Sequence, residues 1–314
     1  MSEQIESAYI GLFESGQLQN RVKMLKAKLS NCTVCPRHCG INRNKNERKY
    51  CRAGRLALVC SYGPHFGEEV PISGQHGSGT IFFGNCNLKC VYCQNSDISH
   101  SITNFEYYEV PATRIARMML ELQNNSNCHN INLVSPSHFV PQIIEAVIFA
   151  IPLGLRLPLV YNSNGYDDIE TLQLIDGIID IYMPDLKYCD PQIAQRYSDA
   201  VDYPEKAQKA ISEMYHQTGP LQTDDNGVAT HGLMIRHLVL PGTAIDSIKT
   251  LNWIAQNLSL DIPISLLAQY HPSFRANQYP GLADSLQNQE YKSVLDELQR
   301  LGFKNALYQE KLYG

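Results

Sequence analysis

The sequence predicts an α/β fold: an incomplete barrel of six strand–helix units behind a small cysteine-rich N-terminal module. Three observations predict it. From residue 79 onward, short apolar runs alternate with segments of helical period. Such alternation argues for parallel strands joined by crossover helices. Residues 79–314 fall short of the ~250 residues of a full eightfold barrel, and their connections are irregular. Eight of the ten cysteines are gathered early, five between residues 32 and 60 and three between 86 and 93. The expected division is a module over 1–60 and the partial barrel over 61–314. A doubly wound sheet satisfies the same alternation.

Taken in order, residues 4–29 read as an amphipathic helix. Ile10, Phe13, Leu18, Val22, Leu25 and Leu29 recur at helical spacing, with Gly11 and Gly16 weakening the first half. Residues 30–60 are rich in cysteines and turn residues. Residues 61–78, with four glycines and two prolines, read as a loop. Strands are expected at 80–84, 131–135, 158–163, 178–187, 231–242 and 262–271, with a further short one at 306–309. Helices are expected at 111–123, 140–150, 167–177, from 191 to about 216, 244–258 and 287–301.

Composition excludes several classes. The net charge is −5, from 26 basic and 31 acidic side chains, and the densest basic stretch, Arg43–Lys49, is short. A sequence-independent grip on nucleic acid needs clustered Lys and Arg. No run of 18 apolar residues suggests a membrane span, and the start MSEQIESAYIG is polar and acidic, unlike a secretory signal. The expected compartment is the cytoplasm. There ten cysteines are expected to serve metal or catalytic roles rather than disulfides.

In parallel α/β folds ligands sit beyond the C-terminal ends of the strands. Here those ends carry Cys86, Cys90 and Cys93, then 135-SPSH-138, 162-NSNG-165, Asp185 with Lys187, Arg236 with His237, and Tyr270 with His271. Taken singly, Asp185 would read as a helix cap, Lys187 as a solvated surface residue and His271 as a core histidine. The concentration of polar groups at one rim argues otherwise. C-x3-C-x2-C supplies three thiolates with no fourth nearby. Iron–sulfur clusters normally take four, so one iron would stay open, as catalytic zinc sites keep an open position. Tyr92 is placed to shield one face of such a cluster.

These residues carry a resemblance. C-x3-C-x-aromatic-C at the end of the first strand of a βα series resembles the radical S-adenosylmethionine (SAM) superfamily, over residues 79 to 275. The stretches 79-GTIFFGNCNLKCVYCQN-95, 162-NSNG-165, 180-DIYMPDLK-187, 236-RHLVLPG-242 and 267-LAQYH-271 look closest to pyruvate formate-lyase activating enzymes, in their PflX-like branch. The resemblance implies a [4Fe–4S] cluster on Cys86, Cys90 and Cys93, with SAM on the open iron. It also implies reductive cleavage of SAM to a 5′-deoxyadenosyl radical. Asn162, Asn164, Asp185, Lys187, Arg236 and His271 match its cofactor-binding positions, and Asn162, Ser163, Met183 and Asp185 the groups around a monovalent cation. A flavodoxin or ferredoxin would supply the electron, and a glycyl radical enzyme would be the protein substrate. Two departures bear on that substrate. SPSH at 135–138 replaces the Gly-Gly-Glu stretch that lines the cofactor's amino group, leaving that group to the Ser135–Ser137 region, and Asn162 replaces an aspartate. Radical chemistry on another peptide or small molecule is the alternative. A different class, a zinc or iron–sulfur regulator or electron carrier, would need no such rim.

Cys32, Cys35, Cys39 and Cys51 supply four thiolates, a closed set suited to zinc or a second iron–sulfur cluster. His38 is an alternative ligand. Cys128 and Cys189 read as ordinary partly buried residues. Glu68 and Glu69, with His65, read as either a solvated acidic turn or a charged substrate contact.

Overall fold

The computed structural model describes residues 7–309. Its strands are β1 (Ala57–His65), β2 (Ser78–Phe83), β3 (Glu109–Val110), β4 (Ile131–Val134), β5 (Leu159–Asn162), β6 (Ile181–Tyr182), β7 (Gln222–Thr223), β8 (Ala229–Leu233), β9 (Ile235–Leu238), β10 (Ile264–Leu267) and β11 (Ala306–Tyr308). Eight form one sheet in the order β3-β1-β2-β4-β5-β6-β8-β7, and β11-β10-β9 form a second. The run β2-β4-β5-β6-β8 is parallel throughout, as is β9-β10-β11. The mostly parallel α/β architecture expected from the alternation is therefore present.

The two sheets meet at one place. Beyond β6 the chain continues to Asp185, which forms an isolated parallel bridge with Arg236 of β9. The single strand expected at 231–242 is in fact broken at Met234. Its first half pairs with β6 and its second half with β10. Gly232 permits the change of partner, with φ +114°, where an added Cβ would lie 2.4 Å from the Pro220 carbonyl oxygen. The strand expected at 178–187 is regular only over Ile181–Tyr182.

The loop expected over 61–78 is largely a strand. β1 runs antiparallel to β2 despite Gly63 and Pro64, because its first three residues are buried against the core and the ladder to β2 satisfies its backbone. Between the two strands lies a short helix, Val70–Ser73. Its Ile72 is fully buried with Val160, Ile181, Met183, Ala229 and Met234, a cluster separate from the main core. Burial of one such side chain contributes about 1.5–3 kcal/mol, enough to anchor the turn that carries Glu68 and Glu69.

The helix expected over 4–29 is two helices, Tyr9–Glu14 and Gln17–Ala27, parted at Gly16, whose φ is +75°; residues 4–6 lie outside the described residues. Tyr9, Leu18, Leu25, Cys32 and Cys51 share the main core with Ile81, Leu133 and Leu159. Among the described residues no helix is long and apolar enough to cross a membrane.

Candidate active site

The segment after β2 carries the three cysteines, and each sulfur has a polar neighbour within hydrogen-bond distance. The Leu88 amide and Asn164 Nδ2 donate to Cys86 Sγ at 3.4 and 3.3 Å. Cys90 Sγ lies 3.0 Å from Ser198 Oγ, and Cys93 Sγ lies 3.1 Å from Ser99 Oγ. Burial pushes all three thiols above the ordinary cysteine range. Each also feels another of the trio: Cys86 feels Cys90, Cys90 feels Cys93, and Cys93 feels Cys86. Buried thiols that crowd one another become thiolates readily only when a positive group joins them. The donor set thus fits an iron–sulfur cluster. Among the described residues no three Cys, His, Asp or Glu side chains gather as a single metal ion requires. A cluster of several iron and sulfur atoms spreads its ligands more widely than one ion does.

Tyr92 is buried, and its hydroxyl lies 2.6 Å from that of Tyr188. Tyr188 in turn reaches Ser198 Oγ at 2.8 Å. Tyr92, Tyr188, Ser198 and Cys90 therefore form one hydrogen-bonded chain.

Asn164 does more than match a motif position. Its Nδ2 also donates to Asn87 Oδ1 at 2.8 Å, tying the turn after β5 to the cysteine loop. The next residue, Gly165, has φ +78°, and a Cβ there would lie 2.2 Å from the Asp185 carbonyl oxygen. Gly165→Ala is expected to cost about 2–4 kcal/mol, from left-handed backbone plus overpacking. A denaturant midpoint within error of wild type would refute the assigned strain.

At the junction of the two sheets stands a largely buried ionic network. Asp185 receives Lys187 Nζ at 2.6 Å and Arg236 Nε at 3.1 Å. Arg236 Nη2 donates to Asn162 Oδ1 at 2.5 Å, and Nη1 lies 3.4 Å from Glu68 Oε2. Asn132 Nδ2 donates to Glu68 Oε1 at 3.1 Å. Burial pushes the Asp185 carboxyl up, but Lys187 and Arg236 outweigh it and hold it below its usual range. Burial lowers Lys187 while Asp185 raises it, and the balance is upward. For Glu68 burial wins over Arg236, with Glu69 adding to the rise. Asp185 is thus no helix cap, and Lys187 no solvated side chain.

The structure brings Asn162, Asp185, Lys187 and Arg236 together. It places His271 elsewhere, exposed, with Nδ1 3.3 Å from Gln94 Nε2, just past Cys93. His271 is therefore not a core histidine. Of the groups matched to a monovalent cation, Asn162 Oδ1 is taken by Arg236, and Ser163 Oγ donates to Asp167 at 2.6 Å. In the 135–138 segment, His138 is buried with Nε2 2.9 Å from the Gly84 carbonyl oxygen; burial brings its pKa down to about 3, so it is neutral and donates there. Sequence reasoning left Glu68 undecided and missed Asn132. Neither lies at a strand's C-terminal end, and only the seat of Ile72 brings Glu68 in.

The N-terminal cysteines lie within electrostatic reach of one another, although among the described residues no three of them gather as a single zinc ion requires. Burial raises the Cys35 and Cys51 thiols; Cys35 also feels Cys51, Cys32 and Cys39, and Cys51 feels Cys32 and Cys39. His38 is instead engaged, with Nε2 2.7 Å from Asp168 Oδ2. The segment packs directly on the cysteine loop. Arg37 Nε donates to the Asn87 carbonyl at 3.0 Å, and its guanidinium covers the Tyr50 ring at 3.8 Å. Buried Arg43 donates from Nη1 to the His138 carbonyl at 2.7 Å and from Nε to the Gly54 carbonyl at 3.0 Å.

A parallel α/β sheet with an open three-thiolate loop after its first parallel strand defines an iron–sulfur enzyme class. The family described as the Radical SAM superfamily matches residues 80–238, just over half of the chain, and the chain belongs to it. Membership implies a [4Fe–4S] cluster and SAM, and supports SAM cleavage by an oxidoreductase-type enzyme. Two relatives come from Methanocaldococcus jannaschii. Uncharacterized protein MJ0674 is 28% identical over 288 residues, 89% of this chain and 77% of its own length. Uncharacterized protein MJ0808 is 22% identical over 268 residues, 79% of this chain and 73% of its own. Among solved structures, Streptococcus suis SuiB bound to precursor peptide SuiA is 13% identical with a TM-score of 0.47, over 72% of this chain and 46% of that one. Native anSMEcpe with bound AdoMet is 14% identical with a TM-score of 0.48, over 72% and 61%. The chain thus spans roughly half to three fifths of those structures' length.

Proposed function

We propose that this protein is a radical SAM enzyme of the pyruvate formate-lyase activating type, in the PflX-like branch, acting on a polypeptide. The observation that carries the reading is the trio Cys86, Cys90 and Cys93, each sulfur within hydrogen-bond distance of a polar group, beside the Asp185–Lys187–Arg236 network. When bound, the cluster and SAM supply one-electron cleavage of a sulfonium carbon–sulfur bond, giving methionine and a 5′-deoxyadenosyl radical that abstracts hydrogen.

The chain's own residues hold and orient. Cys86, Cys90 and Cys93 would hold the cluster; the Leu88 amide and Asn164, which donate to Cys86, would stabilise its thiolate charge, and the Ser198 and Ser99 hydroxyls stand beside Cys90 and Cys93. Lys187 offsets a carboxylate as a compact cation, with Asp185 setting its position. Arg236 holds Asn162, Asp185 and Glu68 in one array, whereas His271 stands apart beside Gln94 at the end of the cysteine loop. We place Asn162, Asn164, Asp185, Lys187 and Arg236 around SAM, on a sheet curved into an incomplete barrel. A glycyl radical enzyme is the target the motif match supports. The 135-SPSH-138 segment favours a second reading, a different peptide, because neutral His138 is spent on Gly84 and offers no charge to a cofactor.

Anaerobic reconstitution with iron and sulfide, followed by dithionite and SAM, is expected to yield 5′-deoxyadenosine. No product from a fully reconstituted protein would sink the proposal. Cys32, Cys35, Cys39 and Cys51 form, in this reading, a second site for an iron–sulfur cluster, since among the described residues no three of them gather as a single zinc ion requires. A Cys86/Cys90/Cys93 triple alanine variant is expected to retain that cluster's iron, measured by elemental analysis. A metal-free variant that remains folded would refute the second site.

A further inference from the structure

Beside the cysteine loop lies a surface hollow of about 530 Å³, lined by Lys89, Val91, His100, Arg196, Phe274 and Arg275 among others. Its inner wall is the cysteine loop itself, since Lys89 and Val91 flank Cys90. The wall is fixed: the Lys89 and Val91 amides donate to the Ser198 and Tyr197 carbonyls at 3.1 and 2.9 Å. The Arg275 amide donates to the Val91 carbonyl at 2.8 Å.

The hollow is cationic on a chain of net charge −5. Among the described residues, Lys89, Arg196 and Arg275 have no ion-pair partner. The carboxylate at the rim, Asp199, is occupied by the Tyr50 hydroxyl at 2.9 Å and Gln195 Nε2 at 3.1 Å. An independent feature marks the same rim. Phe274 is 42% exposed and held at φ +55°, a backbone conformation that bulky residues avoid. Its ring stacks on His100 at 5.1 Å, and the Arg275 guanidinium lies 5.0 Å from its centroid. Unpaired arginines around an exposed aromatic are what protein interfaces concentrate at their centres.

We propose that this hollow docks an acidic one-electron carrier protein that reduces the cluster held by Cys86, Cys90 and Cys93. The inference rests on the radical SAM reading and names the face its reductant uses. One electron leaves the carrier's reduced flavin or iron–sulfur group and enters the cluster. The carrier is oxidised by one electron, the cluster is reduced by one, and no bond or proton changes hands. A carrier seated here touches the chain on both sides of Cys90. Complementary charge brings it to this face and sets its association rate.

The test compares the reconstituted wild type with an Arg196→Glu/Arg275→Glu variant and with Phe274→Ala. Two readouts are taken: affinity for flavodoxin by calorimetry, and 5′-deoxyadenosine formation driven by dithionite or by reduced flavodoxin. The charge reversal is expected to weaken flavodoxin binding and flavodoxin-driven turnover by ~10-fold or more. Dithionite-driven turnover should be unchanged, and Phe274→Ala should show a smaller loss of the same kind. Wild-type binding should weaken as salt is raised. Unchanged flavodoxin affinity in the charge-reversed protein, with ferredoxin as a second probe giving the same answer, overturns the docking face. Equal loss with dithionite overturns it too, by showing that the substitutions act on the site. Absence of product from wild type with dithionite instead overturns the radical SAM reading, while the calorimetry still judges the docking face.

Discussion

Cys90→Ala is expected to abolish 5′-deoxyadenosine formation while leaving the protein folded. Cys90 is the middle thiolate of the trio, and an iron–sulfur cluster with one ligand already open does not tolerate losing another. Its side chain is half-buried and small, so truncation removes little packing. The expected signature is product at background, reduced iron content and a near-native denaturation midpoint. Cys189→Ser is the control. It removes a half-buried thiol outside both cysteine groups and should keep full product. Turnover by the Cys90 variant at more than a small fraction of wild type would remove Cys90 from the cluster.

Arg236→Met should produce the largest stability loss in the site, about 3–5 kcal/mol. Arg236 is mostly buried and compensates Glu68 and Asp185 together while donating to Asn162. Without it Asp185 keeps Lys187, but Glu68 is left a largely buried carboxylate whose remaining hydrogen-bond donor is the Asn132 amide. The pH dependence follows from the two shifts. Asp185, held low by its cations against burial, contributes stability above its unfolded pKa that is lost as pH falls. Glu68, pushed up by burial despite Arg236, rises further once Arg236 is gone, so the variant gains most by protonating it. Both signs agree: the deficit of the variant is greatest near neutral pH and narrows as pH falls through the carboxylate range. Adding Glu68→Gln to Arg236→Met should restore part of the loss. A deficit that stays constant with pH, or a double variant no better than the single, would show that lost packing and not charge accounts for the effect.

Much of the site was legible because it is local. Three cysteines spaced by three and two residues necessarily share one short loop. Asp185 and Lys187 alternate on one extended segment, and Asn164 precedes the glycine that its turn needs. The parallel α/β order was equally legible, since each strand and helix carries its own period. Gly63 and Pro64 concealed β1, because its pairing energy comes from β2 and not from its own composition. The break between β8 and β9 was concealed for the same reason: both halves are apolar, and only their different partners separate them.

By itself the sequence determined the spacing of the candidate ligands and the order of the elements, because cysteine spacing and hydrophobic period act over a few residues. The tertiary structure alone decided which charges meet. Glu68 is 168 residues from Arg236 along the chain and reaches it only because Ile72 seats its turn among residues of β5, β6 and β8 and their flanks. It also decided that the N-terminal cysteines lie against the cysteine loop, through Arg37 and Asn87, and that unpaired cations gather around Cys90. Coulomb attraction and burial depend on distance in space, and no pattern along the chain specifies that distance.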